Sequence, residues 1–233
     1  MTAPVSPRAH QWVGALMAGG RSRRMGQDKL SMPLADGRRL LDAAADALRQ
    51  HCGHLVYLGP EPASLPPLSG FEPLRDYHDS KVPLGSGPMA GLLASLLHAE
   101  QVGARWVLVL AGDLPLVRAD QLTALVEQAE SQESPNSAPG NGEKSRPSEQ
   151  LAAVVPVSDH GPEPLLAAYP ASFAAAAKDY LHQGRRSLRG FLSQQLWISL
   201  LSTGLDTIPD CTNLNRPEDW ERLPDPADQA PET

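Results

Sequence analysis

The segment Trp12-Val13-Gly14-Ala15-Leu16-Met17-Ala18-Gly19-Gly20-Arg21-Ser22-Arg23-Arg24-Met25-Gly26-Gln27-Asp28-Lys29 decides how this chain is read. Its first six residues are an apolar run of strand length. The stretch from Gly19 to Lys29 then holds three glycines, three arginines and one lysine. A packed core has no use for so much positive charge, whereas a polyphosphate has. Glycines let backbone N–H groups approach an anion with no Cβ in the way, and a helix opening after such a loop adds partial positive charge. Arginine offers phosphate oxygens a planar fork and lysine a mobile point charge, so Arg24 and Lys29 suit a triphosphate whose charge shifts during reaction. The spacing is not that of a Walker A loop, because Gln27-Asp28-Lys29 follows Gly26, nor is it the GxGxxG dinucleotide fingerprint. A basic turn between a strand and a helix is the plainer alternative.

Outward from this segment, apolar runs of strand length alternate with helical patterns, the signature of βαβ units and a mainly parallel sheet. Strands are expected at 12–17, 54–58, 74–76, 105–110, 151–157, 165–169 and 197–201. Leu40, Leu41, Ala44, Ala45 and Leu48 recur at helical spacing, and further helices are expected at 89–99, 119–130, 171–182 and 188–195. Residues 60–73 are Pro-rich and read as a loop. Trp106-Val107-Leu108-Val109-Leu110 is continuously apolar, as a strand covered on both faces must be. It delivers Asp113 to its carboxyl end, where ligands bind in open α/β sheets.

At 233 residues and 41% hydrophobic content the chain can bury one substantial core, and we expect one domain with its core at about 12–223. Residues 131–150 are Ser, Pro, Asn, Gly, Glu and Lys with almost nothing to bury, so a flexible insertion is expected there, and a polar tail at 224–233. A net charge of −7 argues against a nucleic-acid partner, which would need a broad basic surface. No run approaches a membrane span and no export signal opens the chain, so a cytoplasmic protein without a membrane partner is expected. Cys52 and Cys211 lie far apart with no CxxC spacing. His51 and His54 flank Cys52 but lack a second ligand pair, so a helix-end or surface role is expected for them.

Several residues offer chemistry. Asp113, between Gly112 and Pro115, suits Mg²⁺ held against phosphates, or else caps the next turn. Asp76, with Asp79 as a competitor, precedes the glycine-rich stretch 85–91; either is a nucleotide contact or a solvated loop acid. Gly87 either lets the chain pass close to a ligand or simply opens a helix, with Pro88 near its first turn. Arg185, Arg186 and Arg189 follow Gly184 and are either a solvated helix end or a second basic site. Asn213 and Asn215 can both donate and accept hydrogen bonds, yet an asparagine ahead of Pro217-Glu218 is also an ordinary N-cap signal.

In this order, Ala18-Gly19-Gly20-x-Ser22-x-Arg24-Met25-Gly26-x-Asp28-Lys29, Gly87-Pro88-Met89-Ala90-Gly91, Gly112-Asp113-Leu114-Pro115 and Asn213-Leu214-Asn215-Arg216-Pro217-Glu218 resemble the signature of the molybdenum cofactor guanylyltransferases and their nucleotidyltransferase relatives. The resemblance implies a Rossmann-like, three-layer α/β fold of the nucleotide-diphospho-sugar transferase type with a mainly parallel central sheet. It implies transfer of GMP from GTP to the terminal phosphate of molybdopterin, with Mg²⁺ as cofactor. By the same resemblance Leu16, Met17, Ala18, Gly19, Gly20, Lys29, Asp76, Gly87 and Asp113 bind the nucleotide. Arg24, Lys29 and Asp113 serve catalysis, Asp113 holds the metal, and Arg24, Arg186, Asn213 and Asn215 meet the acceptor. Cofactor-inserting proteins or molybdoenzymes are the further partners implied. Two departures bear on the substrate: Glu163-Pro164 stands where relatives commonly show His-Pro, and Leu58-Gly59-Pro60 where guanylyltransferases tend to carry an asparagine. Cytidylyl transfer to the same cofactor, transfer to another phosphorylated acceptor and a non-catalytic GTP-binding role are the alternatives.

Overall fold

Apolar side chains on both sides of a strand require a layer of helices on each face, and the computed structural model has that arrangement. It describes residues 8–18, 30, 32–33, 37–59, 61, 67–114, 117, 119–133, 151–158 and 160–199. In chain order the elements are β1 (Trp12–Met17), α1 (Leu40–Arg49), β2 (His54–Gly59), β3 (Glu72–Arg75), α2 (Pro88–Val102), β4 (Trp106–Ala111) and α3 (Ala119–Ser131). They continue with β5 (Ala153–Val155), β6 (Val157–Ser158), β7 (Gly161–Pro162), β8 (Leu166–Pro170), α4 (Ala174–His182), α5 (Leu188–Leu192) and β9 (Trp197–Ser199). The main sheet runs β3-β2-β1-β4-β8-β5-β9, and β6 and β7 form a separate small ribbon. β3, β2, β1 and β4 are mutually parallel, β8 alone is reversed, and β5 and β9 pair in parallel.

The two cores follow from strand alternation. Val107 and Val109 of β4 join Val13 and Ala15 of β1 beneath α2, α4 and α5. Trp106, Leu108 and Leu110 point the other way, with Trp12 and Leu16, onto α1 and α3. Consecutive crossovers that keep one hand while running in opposite directions along a sheet deliver their helices to opposite faces. Here α1 leads from β1 out to β2, and α2 leads back from β3 to β4. At the amino ends of the strands the rings of Trp12 and Trp106 stack, with centroids 5.6 Å apart. Each indole N–H is anchored: Trp12 donates to Glu130 at 3.1 Å and Trp106 to Glu133 at 2.8 Å.

Four expectations need correction. The loop expected over 60–73 ends earlier, because Glu72 and Pro73 already belong to β3; Pro73 pairs opposite Tyr57 on an edge strand, where a missing N–H costs no ladder bond. That also shifts the strand expected at 74–76, so Asp76 lies just beyond it. The run 151–157 is interrupted at Pro156 into β5 and β6. Residues 131–133 do not belong to the expected insertion: Ser131 closes α3, and the Gln132 amide bonds both the N–H and the C=O of Ala152, at 2.9 and 3.0 Å. Residues 134–150, 200–201 and 224–233 lie outside the described residues. Among the described residues no helix is long and apolar enough to cross a membrane.

Candidate active site

Because four neighbouring strands run parallel, their carboxyl ends share one edge of the sheet, and the chain reverses its direction of travel along the sheet between β1 and β4. That switch point is where open α/β sheets bind ligands. The exit from β1 is fixed on both sides: Ala18 N–H donates to Leu58 C=O at 2.9 Å, and Met17 C=O accepts from Gly112 N–H at 3.0 Å. A Cβ on Gly112 would lie 3.0 Å from Leu30 Cδ2 and 3.3 Å from Met17 O, so a side chain there would crowd the close approach of β4 to this exit. Leu16 and Ala18 are buried and Met17 is half-buried. The expected phosphate loop leaves the sheet at Ala18 and returns at Leu30, which packs into the core beside Gly112. Gly19, Gly20, Arg24 and Lys29 themselves lie outside the described residues, as do Asn213 and Asn215.

Asp113 follows directly, half-buried at the end of β4. Asp76 occupies the equivalent position after β3, its N–H bonded to Gly59 C=O at 3.1 Å. It is only 7% exposed, and neither carboxylate oxygen has a hydrogen-bond partner among the described residues. Its Oδ1 faces the first turn of α2, where a Cβ on Gly91 would come within 3.3 Å of it and within 3.0 Å of Met17 Sδ. The Asp76 side chain therefore reaches over the end of β2 toward β1. Burial pushes its carboxyl up to about 6. Gly87 caps α2 with φ at 85°, a conformation that favours glycine, and Pro88 follows at the first helical position.

Asp79 is differently placed. Its Oδ1 accepts from the backbone N–H groups of Lys81 and Val82 at 2.8 and 2.9 Å, and its Oδ2 from the Tyr77 hydroxyl at 2.6 Å. The same Oδ2 lies 2.7 Å from His182 Nε2 at the end of α4. The Tyr77 hydrogen bond, followed by that of His182, holds the Asp79 carboxyl well below the usual carboxylate range. Asp79 thus fastens the 76–87 segment to α4, and of the two candidate aspartates only Asp76 has open acceptor capacity. No sequence signal joins Asp79 to a histidine 103 residues away.

The topology brings a third group to this edge. β8 is antiparallel, so its amino end lies beside Leu110, and α4, rising from the opposite end, delivers the arginine cluster. Arg186 Nη1 donates to Leu181 C=O at 2.7 Å and Arg185 C=O at 2.9 Å, closing α4 as a cation at a helix C-terminus does. Arg185 lies over the Tyr180 ring. Arg189 instead faces Glu163, with Nη2 3.9 Å from Oε1, and its Nε donates to Pro162 C=O at 3.0 Å. These two, with Leu114, Pro164, Leu165 and Leu166, line a cavity of about 190 Å³ whose first residue is the immediate neighbour of Asp113. Nothing in the sequence pattern gives Glu163 a role, because its neighbour Arg189 is 26 residues away in the chain.

His51, 8% exposed at the end of α1, and buried Cys52, whose thiol burial pushes up, belong to the core. His54 opens β2, half-buried. Among the described residues no group of three or more His, Cys, Asp or Glu is placed to hold a metal.

Comparison with known proteins agrees with this arrangement. A protein of Opitutus terrae named "Probable molybdenum cofactor guanylyltransferase" is 31% identical over 94% of this chain and 97% of its own length. The solved structure of molybdopterin-guanine dinucleotide biosynthesis protein A from Archaeoglobus fulgidus superposes with a TM-score of 0.63 at 25% identity, covering 90% of this chain and 95% of that one. A Mycobacterium tuberculosis protein solved as a manganese complex shares the fold, with a TM-score of 0.54 at 16% identity over 91% and 97% of the two chains. The three-layer architecture is that of the nucleotide-diphospho-sugar transferases. Residues 14–197 match the family described as "MobA-like NTP transferase domain", and the chain belongs to that family of nucleotidyltransferases.

Proposed function

We propose that this chain transfers GMP from GTP to the terminal phosphate of molybdopterin, forming the guanine dinucleotide cofactor and releasing pyrophosphate. The observation that carries the reading is the pair of aspartates after β3 and β4, flanking the exit of β1, with the Asp76 carboxylate buried and without a hydrogen-bond partner among the described residues. The names of its relatives support the choice of substrates.

An oxygen of the acceptor phosphate attacks the α-phosphorus of GTP, a new P–O bond forms and the bond to the β-phosphate oxygen breaks. No protein nucleophile is needed, so the residues bind and orient. Gly19, Gly20, Arg24 and Lys29 grip the triphosphate, and their charges offset the negative charge gathering on the departing pyrophosphate. Leu16, Met17, Ala18 and Gly87 shape the nucleotide's bed, and Asp76 accepts hydrogen bonds from it. Arg186, Asn213 and Asn215 serve the acceptor.

The donor chemistry of Asp113 fits Mg²⁺, a hard cation that takes one or two carboxylates and completes its shell with phosphate oxygens and water. Once bound, the ion neutralises phosphate charge and orients the reacting groups. Pyrophosphate release from purified protein with Mg²⁺ and molybdopterin, comparing GTP, CTP and ATP, tests the reading. Release with GTP alone supports it; release with CTP alone replaces the product, and GTP binding without release would leave an accessory protein.

A further inference from the structure

We infer that the cavity beside Asp113 receives the heterocyclic end of the acceptor, with Glu163 accepting hydrogen bonds from adjacent ring N–H and exocyclic amine groups. The inference rests on the reading of the chain as a molybdopterin nucleotidyltransferase. At about 190 Å³ the cavity has room for a small aromatic ring but not for a nucleotide. Leu114, Pro164, Leu165 and Leu166 supply its apolar side chains, and its charged groups are one carboxylate and one guanidinium.

The polar groups are pre-positioned. Ser158 Oγ donates to Glu163 Oε1 at 2.5 Å, and the backbone of Glu163 is fixed by its N–H to Pro156 C=O at 2.9 Å. Oε2 has no hydrogen-bond partner among the described residues, and the side chain is only 21% exposed. Arg189 is held by its Nε bond to Pro162, which leaves the rest of its fork beside the carboxylate. A carboxylate next to a guanidinium between apolar walls matches a 2-amino-4-oxopyrimidine edge: the N–H pair donates to Glu163 and the carbonyl accepts from Arg189. Pterin and guanine both carry that edge. The cavity lies on the β8 side of β4, whereas Asp76 and the β1 exit lie on the other side, so the acceptor's pterin is the occupant.

The test compares wild type, Glu163→Gln and Arg189→Ala. Glutamine keeps an acceptor for Ser158 but turns an amide N–H₂ toward the ligand's own donors, and Arg189 is half-exposed, so neither change threatens the fold. The KM values for GTP and molybdopterin are measured separately, and binding of 6-hydroxymethylpterin is followed by its own fluorescence. Glu163→Gln is expected to raise the KM for molybdopterin by about 10- to 100-fold, as for a lost hydrogen bond to a charged group, and to abolish pterin binding. The KM for GTP should stay unchanged, and Arg189→Ala should act in the same direction. A rise in the GTP KM instead would show that the edge read here is guanine and overturn the inference; no change in either KM would also overturn it. Wild-type protein that binds the pterin through Glu163 but transfers no nucleotide would refute the proposed reaction and leave the cavity's assignment standing.

Discussion

Replacing Asp76 by asparagine should stabilise the protein at neutral pH while weakening its hold on GTP. The side chain is 7% exposed and its carboxylate has no described hydrogen-bond partner, so ionising it in the folded state is costly. Burial raises the carboxyl from 3.8 to about 6. At about 1.36 kcal/mol per pH unit, the ionised form costs the fold about 3 kcal/mol at pH 7. The sign follows from proton uptake: between the ordinary value and the raised one, the native state binds more protons than the unfolded chain. Stability is therefore highest below about pH 4, falls as pH rises toward 6, and is level above that as far as this group is concerned. Asparagine is nearly isosteric and carries no charge. Wild type and Asp76→Asn should unfold together in urea at pH 4, and the variant should be the more stable by up to about 3 kcal/mol at pH 7. For a chain of this size that corresponds to roughly 6–12 °C in Tm. In the same variant GTP binding, followed by calorimetry, should weaken. A stability difference that is constant from pH 4 to pH 7 would refute the reasoning, because it would mean that Asp76 titrates as an ordinary solvated acid.

Asp113→Asn should lower turnover by about 100-fold or more through the loss of phosphate-charge stabilisation; normal pyrophosphate release would exclude the role proposed for it. Asp79→Asn removes a carboxyl held below its ordinary value, whose stabilisation is present above about pH 4 and fades as pH falls further. The stability gap between wild type and this variant should accordingly narrow on acidification, and a gap independent of pH would count against the Asp79–His182 link. Leu108→Ala opens a void at a fully buried position of the central strand and should cost about 2–5 kcal/mol by urea denaturation; a cost below 1 kcal/mol would be inconsistent with the two-cored packing.

Much of the fold was legible because helix and strand periods differ and buried parallel strands are apolar throughout: 12–17 is β1 residue for residue, and the helix expected at 119–130 is α3 to within a single residue. Strand direction was not legible. Nothing in the pattern of Leu166-Ala167-Ala168-Tyr169-Pro170 marks it as the one reversed strand, since alternation is the same read either way. For the candidate site, sequence supplied Asp113 and, through the resemblance, preferred Asp76 to Asp79, but the residue pattern itself carries no physical ground for that preference. Their difference is one of environment: among the described residues four hydrogen bonds surround Asp79 and none reaches the Asp76 carboxylate, and those partners come from Tyr77, Lys81, Val82 and the distant His182. The carbonyl bonds of Arg186 Nη1 at its own helix end were likewise not legible, because they depend on how the chain turns after α4.

The stacked indoles of Trp12 and Trp106 have a practical consequence. They begin β1 and β4, at the edge of the sheet remote from Asp76 and Asp113, and each is tethered through its N–H to the end of α3. Their near-ultraviolet circular dichroism is therefore a built-in gauge of tertiary packing that substrates at the far edge leave undisturbed. The signal can be watched during titration with nucleotide or pterin, separating a variant that has lost a ligand contact from one that has lost its shape.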